Sequence, residues 1–256
     1  MLAGGFGRRL LPLTRDRPKA MVDVRGTPIL RRQLDWFAES GVEHVIISAG
    51  HLATVIVDYL KSQKLPIRVE VVVEERPLGR GGGLKRSAKA LPYPEEPWLA
   101  AYGDICTRFS LADMYAHHVR HGASATVALA RPAEPRAGVE CDERGRVTAL
   151  EPARSPSAPS FPSTPSSPSF PSASSSPSTP SFQAPRVNAG IYLFESDVVG
   201  LLPDEGDHVP STLAHLIRNR RLMGYPVDVP WWAVNTSRDL ADLERELAGR
   251  PSGRPA

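Results

Sequence analysis

The first ten residues constrain this chain more than any other stretch. They read Met1-Leu2-Ala3-Gly4-Gly5-Phe6-Gly7-Arg8-Arg9-Leu10, followed by Pro12, Leu13 and Thr14 and then by Pro18-Lys19-Ala20-Met21. Three glycines within four positions, directly after an apolar start, let a backbone turn tightly and approach a ligand closely. Arg8, Arg9 and Lys19 add positive charge, so the stretch reads as a phosphate-handling loop. Two common glycine loops are excluded. A P-loop needs Lys-Ser/Thr after its second glycine, and none follows here; a dinucleotide fingerprint needs a glycine at position 10, where Leu10 stands.

The stretch from Leu2 to Met21 resembles the signature of the sugar-1-phosphate nucleotidyltransferases (nucleotidyl transferase family), Leu-Ala-Gly-Gly-x-Gly-Thr-Arg-Leu-x-Pro-Leu-Thr followed by Pro-Lys-Pro-Met. Arg8 replaces the usual Thr and Ala20 the second Pro. Members of that family usually carry several more apolar residues ahead of the glycines, forming a buried central strand. Only Met1, Leu2 and Ala3 precede Gly4 here, which raises the expectation of a start further upstream, with a stunted strand in a weakened protein as the rival.

The 256 residues, 41% hydrophobic and 23% charged, suffice for one globular domain plus a disordered segment. The net charge of +3 is mild, and the basic residues form no aromatic-interleaved run of the nucleic-acid-binding kind. No apolar run approaches the ~18–20 residues of a membrane helix. Cys106 and Cys141 supply neither a metal-ligand set nor a disulfide framework, and no leader is evident, so the cytoplasm is the expected compartment.

Along the chain, Thr27-Pro28 reads as N-cap and first position of a helix carrying Ile29, Leu30, Leu34 and Phe37, with Gly41 beyond it. Val42 to Ala49 reads as a strand, Leu52, Val55, Ile56, Tyr59 and Leu60 as an amphipathic helix, and Ile67, Val69, Val71 and Val73 as an alternating strand. This βαβαβ order predicts a parallel sheet with ligands outside the carboxyl ends of its strands. Pro77-Leu78-Gly79-Arg80-Gly81-Gly82-Gly83 stands at such an end and resembles the family's second signature, with Arg80 in place of Thr. Trp98 to Tyr102 delivers Gly103-Asp104, matching the family's metal-binding aspartate after an apolar strand. His117, His118 and His121 read as a solvated helix flank, since adjacent histidines cannot share a helix face. Gly138 to Glu151 reads as a hairpin turning at Asp142-Glu143-Arg144-Gly145.

Residues 153–186, nearly all Ser and Pro, read as a disordered insertion, which leaves 1–152 and 187–248 as one domain and 249–256 as a flexible tail. Val187-Asn188-Ala189-Gly190-Ile191-Tyr192 resembles the family's sugar-contacting strand. In Trp231-Trp232-Ala233-Val234-Asn235, Ala233 stands where the second metal-binding Asp is usual, and Val234-Asn235 resembles the form in which an amide oxygen takes over; a helix-capping role for Asn235 is the rival.

The resemblance implies an α/β, Rossmann-like three-layer sandwich with a mixed, mostly parallel sheet, of the nucleotide-diphospho-sugar transferase type. It implies transfer of a nucleotidyl group to a sugar 1-phosphate. Arg9, Lys19 and Asp104 would be catalytic; Leu2, Ala3, Gly4, Gly5, Gly7, Leu78, Gly79 and Gly103 would bind nucleotide; Gly138, Glu151, Asn188 and Gly190 would bind sugar; and Asp104 with Asn235 would hold Mg²⁺. Pro152 stands where the family's sugar-site Lys is expected. The Pro-Leu-Gly-x-Gly-Gly pattern is most similar to mannose- and heptose-1-phosphate guanylyltransferases, so GTP is the expected donor. Thymidylyl or uridylyl transfer, and a non-catalytic sugar-nucleotide-binding homologue, are the alternatives. The expected partners are the two small substrates, without nucleic acid or membrane, and self-association stays open.

Overall fold

A computed structural model describes residues 1–132, 138–150 and 185–248. Glu151, Pro152 and most of the Ser/Pro stretch lie outside these residues, as does the tail from 249. After the glycine loop, β1 (Asp23–Val24) and β2 (Thr27–Pro28) pair around Arg25-Gly26, and α1 (Ile29–Glu39) follows. Thr27-Pro28 therefore belongs to a ladder and not to the helix. Pro28 is extended (φ −57°, ψ 146°), and Ile29 N–H bonds back to Val22 C=O at 3.1 Å.

Next come β3 (His44–Ala49), α2 (Ala53–Ser62), β4 (Arg68–Val73), α3 (Gly79–Ala88), β5 (Trp98–Ala101), β6 (Ile105–Thr107) and α4 (Leu111–His121). The chain continues through β7 (Ala125–Ala130), β8 (Val139–Cys141), β9 (Val147–Leu150), β10 (Val187–Phe194), α5 (Val198–Leu201) and α6 (Ala214–Arg218). It closes with β11 (Leu222–Val227), β12 (Trp231–Ala233) and α7 (Ser237–Ala248). The expected hairpin is β8–β9.

The short apolar start is the hinge of the sheet. Leu2 bridges in parallel to Ser48 on one side and to Tyr102 on the other, joining the β3–β4 pair to the β5–β10–β7–β11 sheet. The spatial order is β4, β3, residues 1–3, β5, β10, β7, β11, and only β10 runs antiparallel to its neighbours. The expected mixed, mostly parallel sheet is thus observed. One face packs on α1, α2 and α4 through Leu34, Phe37, Ile56 and Met114; the other packs on α3, α5 and α6 through Leu84, Val198 and Leu216. This is the three-layer arrangement. A cavity of 480 Å³ opens between Val45 and Trp98, and none of the candidate site residues lines it.

Three further details differ from the sequence reading. His118 is not a solvated flank: it is fully buried on the Leu111–Met114 face of α4, with Nδ1 2.8 Å from Thr126 Oγ1 and Nε2 3.0 Å from Glu195 Oε1. Arg186, assigned to the insertion, is 1% exposed, and donates to Leu129 C=O, Val227 C=O and Asp228. The glycine run 81–83 sits inside α3, where Gly81 and Gly82 lie against the 203–208 segment and Gly83 against Leu2, Ser48 and Glu74. A Cβ on Gly82 would stand 2.3 Å from Asp204 O. Gly82→Ala is expected to cost about 1–3 kcal/mol, read as a lowered midpoint in chemical denaturation; an unchanged midpoint would show that the 203–208 segment yields freely.

Candidate functional site

Two backbone facts assemble the site. Gly103 N–H donates to Leu2 C=O at 2.8 Å, which seats Gly103-Asp104 beside the glycine loop. The β12–β6 ladder pairs Ala233 with Ile105, and Val234 N–H donates to Asp104 C=O at 2.9 Å, which brings Asn235 next to Asp104. Leu10, Val22, Val24, Ile29, Cys106, Val234 and Leu243 form a small core that ties the loop, β6, β12 and α7 together.

On this support the charged groups converge. Lys19, in a short turn of helix over Lys19–Met21, places Nζ 2.5 Å from Asp104 Oδ2 and 2.8 Å from Asn235 Oδ1. Arg9 Nη2 donates to the same amide oxygen at 2.8 Å. Lys19 and Asp104 are mostly buried, at 15% and 22% side-chain exposure, whereas Arg9 is open to solvent. Asn235 does not cap α7: Thr236 Oγ1 accepts from Asp239 N–H, and Asp239 Oδ2 accepts from the backbone of Asn235 and Thr236. The Asn235 amide oxygen is thereby left for Lys19 and Arg9, while Nδ2 donates to Ala233 C=O at 3.2 Å. Two hard oxygens, from Asp104 and Asn235, converge on one cationic atom, a donor set that suits a small divalent cation completed by water and phosphate oxygens. Among the described residues no group of three or more His, Cys, Asp or Glu gathers as a metal cluster.

The other expected residues divide into two groups. Leu2 and Ala3 are held in the sheet, Gly4 and Gly5 lead out of it, and Gly7 turns at φ +60° with its C=O bonded by Thr14 Oγ1 at 2.9 Å. Leu78 and Gly79 begin α3, where Leu78 N–H donates to Glu74 Oε2 at 3.1 Å. Asn188 and Gly190 form a bulge in β10, Asn188 Oδ1 accepting from Gly190 N–H at 2.9 Å. A side chain at Gly190 would strike the Tyr102 ring at 2.6 Å, so glycine is required there. Gly138 lies against the Arg186 backbone, at the entry to β10.

Several polar residues at this end of the sheet carry no obvious sequence signal. Glu74, at the end of β4, accepts from Ser48 Oγ at 2.5 Å and lies under Gly4, whose missing Cβ would be 3.4 Å from Oε1. Tyr102 Oη is 2.9 Å from Tyr192 Oη and 3.3 Å from His208 Nε2, and Tyr192 Oη accepts from Asn188 Nδ2 at 2.7 Å. Arg80 pairs with Asp207. Glu74 could have been suspected from its position just before Pro-Leu-Gly, but Asp207 and His208 sit in a loop without any motif.

Residues 1–233 match the nucleotidyl transferase family, and the chain belongs to it. Among its relatives is the mannose-1-phosphate guanylyltransferase of Mycobacterium tuberculosis, 31% identical over 98% of this chain and 66% of that protein. Another is the mannose-1-phosphate guanyltransferase of Pichia angusta, 27% identical over 94% of this chain and 61% of that protein. The chain therefore spans a little under two thirds of the length of these relatives. The fold is shared with HddC of Yersinia pseudotuberculosis in complex with GMP-PN, at a TM-score of 0.71 and 18% identity over 96% of this chain and 97% of that one. It is also shared with a putative glucose-1-phosphate thymidylyltransferase of Bacillus anthracis, at 0.73 and 18% over 99% and 96%.

Burial lowers the His208 imidazole from 6.5 to about 4, with neighbouring Asp207 opposing that shift and Arg80 adding to it. The folded state keeps His208 neutral where the unfolded chain binds a proton, so its contribution is full above pH 6.5 and is lost as pH falls towards 4. His117, also lowered to about 4 mainly by burial, acts in the same direction. Denaturant midpoints measured across this window should fall with pH, and His208→Asn should flatten the slope while leaving the share of His117; an unaltered slope would remove His208 from the account.

Proposed function

We propose that the chain transfers a nucleotidyl group from a nucleoside triphosphate, GTP by preference, to a sugar 1-phosphate of mannose or heptose type, giving an NDP-sugar and pyrophosphate in the cytoplasm. The observation that carries this reading is the meeting of Arg9, Lys19, Asp104 and Asn235 beside the glycine loop. An oxygen of the sugar phosphate bonds to the α-phosphorus as the bond to the pyrophosphate oxygen breaks. Both reactants are anions, so positioning and charge neutralisation are the main means of lowering the barrier. Arg9, exposed at the rim, takes the triphosphate and the departing pyrophosphate. Lys19, deeper, bridges the α-phosphate and the sugar phosphate. Asp104 and Asn235 would hold Mg²⁺, which when bound supplies positive charge to the reacting phosphate oxygens. The acceptor phosphate carries its own attacking oxygen, and no side-chain nucleophile is needed.

Glu74 favours guanine. Its two oxygens, which already accept from Ser48 Oγ and Leu78 N–H, have further lone pairs that match the adjacent N1–H and 2-amino donors of guanine; uracil and thymine present one N–H flanked by two carbonyls, which the carboxylate repels. Asn188 and Gly190, with Gly138 and Glu151, are assigned to the sugar.

Pyrophosphate release from a panel of nucleoside triphosphates and sugar 1-phosphates with Mg²⁺ tests the reaction. Lys19→Ala should lower turnover at least about a hundredfold with the fold intact; turnover within roughly threefold of the parent would remove Lys19 from that role. Glu74→Gln should shift the GTP-to-UTP ratio of kcat/KM towards UTP by roughly tenfold or more, and an unmoved ratio would end its assignment to the base.

A further inference from the structure

The Arg80–Asp207 pair takes no part in the steps above. Arg80 Nη1 donates to Tyr102 Oη at 3.3 Å, its guanidinium lies 5.4 Å over the centre of the Tyr102 ring, and Nη2 pairs with Asp207. Both partners reach solvent, at 49% and 33% side-chain exposure. From Tyr102 Oη a row of polar groups runs through Tyr192 Oη to Asn188 Nδ2, with contacts of 2.9 and 2.7 Å, and Gly190 packs on the Tyr102 ring. Arg80 thus continues the row that begins at the candidate sugar residues. Tyr102 directly precedes Gly103-Asp104, and its N–H donates to Gly190 C=O at 2.9 Å, so its backbone joins the candidate sugar strand to the segment that carries Asp104.

A brace between α3 and the 203–208 segment is not a sufficient role for this pair. That junction is already held by Gly81 N–H to Gly206 C=O and Gly206 N–H to Leu78 C=O, each 2.8 Å, and by the glycine contacts of α3. An exposed ion pair adds little to such a junction. Burial raises the Asp207 carboxyl, but the Val209 N–H and Arg80 overcome it and hold it below its ordinary range. The carboxylate therefore stays ionised and accepting beside the donors of the guanidinium. Side by side, the two present donor and acceptor with cancelling charge, which suits neutral hydroxyls better than an anion.

We propose that Arg80 and Asp207 form the hydroxyl-reading wall of the acceptor-sugar site and bind neighbouring hydroxyls of a neutral hexose or heptose unit. The inference rests on the nucleotidyl-transfer reading and deepens it, since it assigns recognition of the sugar as distinct from the base. It rests on a departure from the signature that the segment resembles, which carries Thr at position 80.

The test is calorimetric titration of the full chain with GDP, GDP-mannose, UDP, UDP-glucose, dTDP and dTDP-glucose in Mg²⁺, alongside pyrophosphate release, for the parent, Arg80→Thr, Asp207→Asn and Arg80→Lys. Arg80→Thr and Asp207→Asn should weaken binding of the preferred sugar nucleotide by roughly tenfold or more while its free nucleoside diphosphate stays within about twofold. The KM for the sugar 1-phosphate should rise in step with little change in kcat. Arg80→Lys should recover part of the loss, as a donor without the planar fork. Equal losses for nucleotide and sugar nucleotide, or no loss in an active parent, would overturn the inference alone. A parent that binds none of the six ligands and releases no pyrophosphate would overturn the nucleotidyl-transfer reading, and the inference with it.

Discussion

Four backbone hydrogen bonds made by residues 1–3 hold the two halves of the sheet together. Ser48 N–H donates to Met1 C=O and Ala3 N–H to Ser48 C=O, at 2.9 and 2.7 Å; Leu2 N–H donates to Ala101 C=O and Gly103 N–H to Leu2 C=O, at 2.9 and 2.8 Å. Without them the β3–β4 pair and the β5–β10–β7–β11 sheet share no strand pairing. The same bonds fix where the glycine loop leaves the sheet, and they make Gly103-Asp104 its neighbour. Fold and site therefore depend on one short segment. Its side chains matter less than its backbone register, because a slip of one residue would reverse which groups face β3 and β5.

Register does similar work on the far side of the site. Asp104 precedes β6 and Asn235 follows β12 by two residues; because the strands are antiparallel with Ala233 opposite Ile105, the two polar side chains meet at the end of the ladder. Ala233 packs on the main core and offers no ligand. On the proposed reading, the oxygen that the family pattern takes from an aspartate there would come here from the Asn235 amide two residues on. An amide brings no charge, so the pocket around Lys19 holds one carboxylate against two cations, Lys19 and Arg9. That excess of positive charge suits phosphate better than a site with two carboxylates.

The main landmarks were legible in the sequence because they are local. The glycine run, the strand ends and the turn at Asp142–Gly145 are each set by a few adjacent residues whose conformational limits are severe. The unexpected features are long-range. Gly81 and Gly82 look like a flexible loop until the 203–208 segment is laid against them, about 120 residues away in sequence, and Gly83 until Leu2, Ser48 and Glu74 are laid against it; only then does their lack of side chains become a packing requirement. His118 belongs to the buried face of its helix, a placement the Leu111 and Met114 spacing allows but the neighbouring histidines obscure. Arg186 looks like the tail of a Ser/Pro tract by composition; its carbonyl and carboxylate partners come from β7, β11 and the turn beyond.

On the proposed reading, the present contacts of Lys19 cannot all persist when substrates are bound. Its ammonium is committed to Asp104 and Asn235, the two oxygens that a divalent cation would also use, and a point charge on a flexible stem can leave them with little reorganisation of the backbone. A guanidinium in the same place would hold the carboxylate in a planar fork and be slower to release it. Lys at position 19 and Arg at position 9 are then suited to different tasks: the mobile charge lies in the interior, where phosphates and metal must be exchanged, and the fork lies at the exposed rim, where a triphosphate is first met. Exchanging the two residues would preserve the net charge of the site while removing that division, so charge alone does not account for the arrangement.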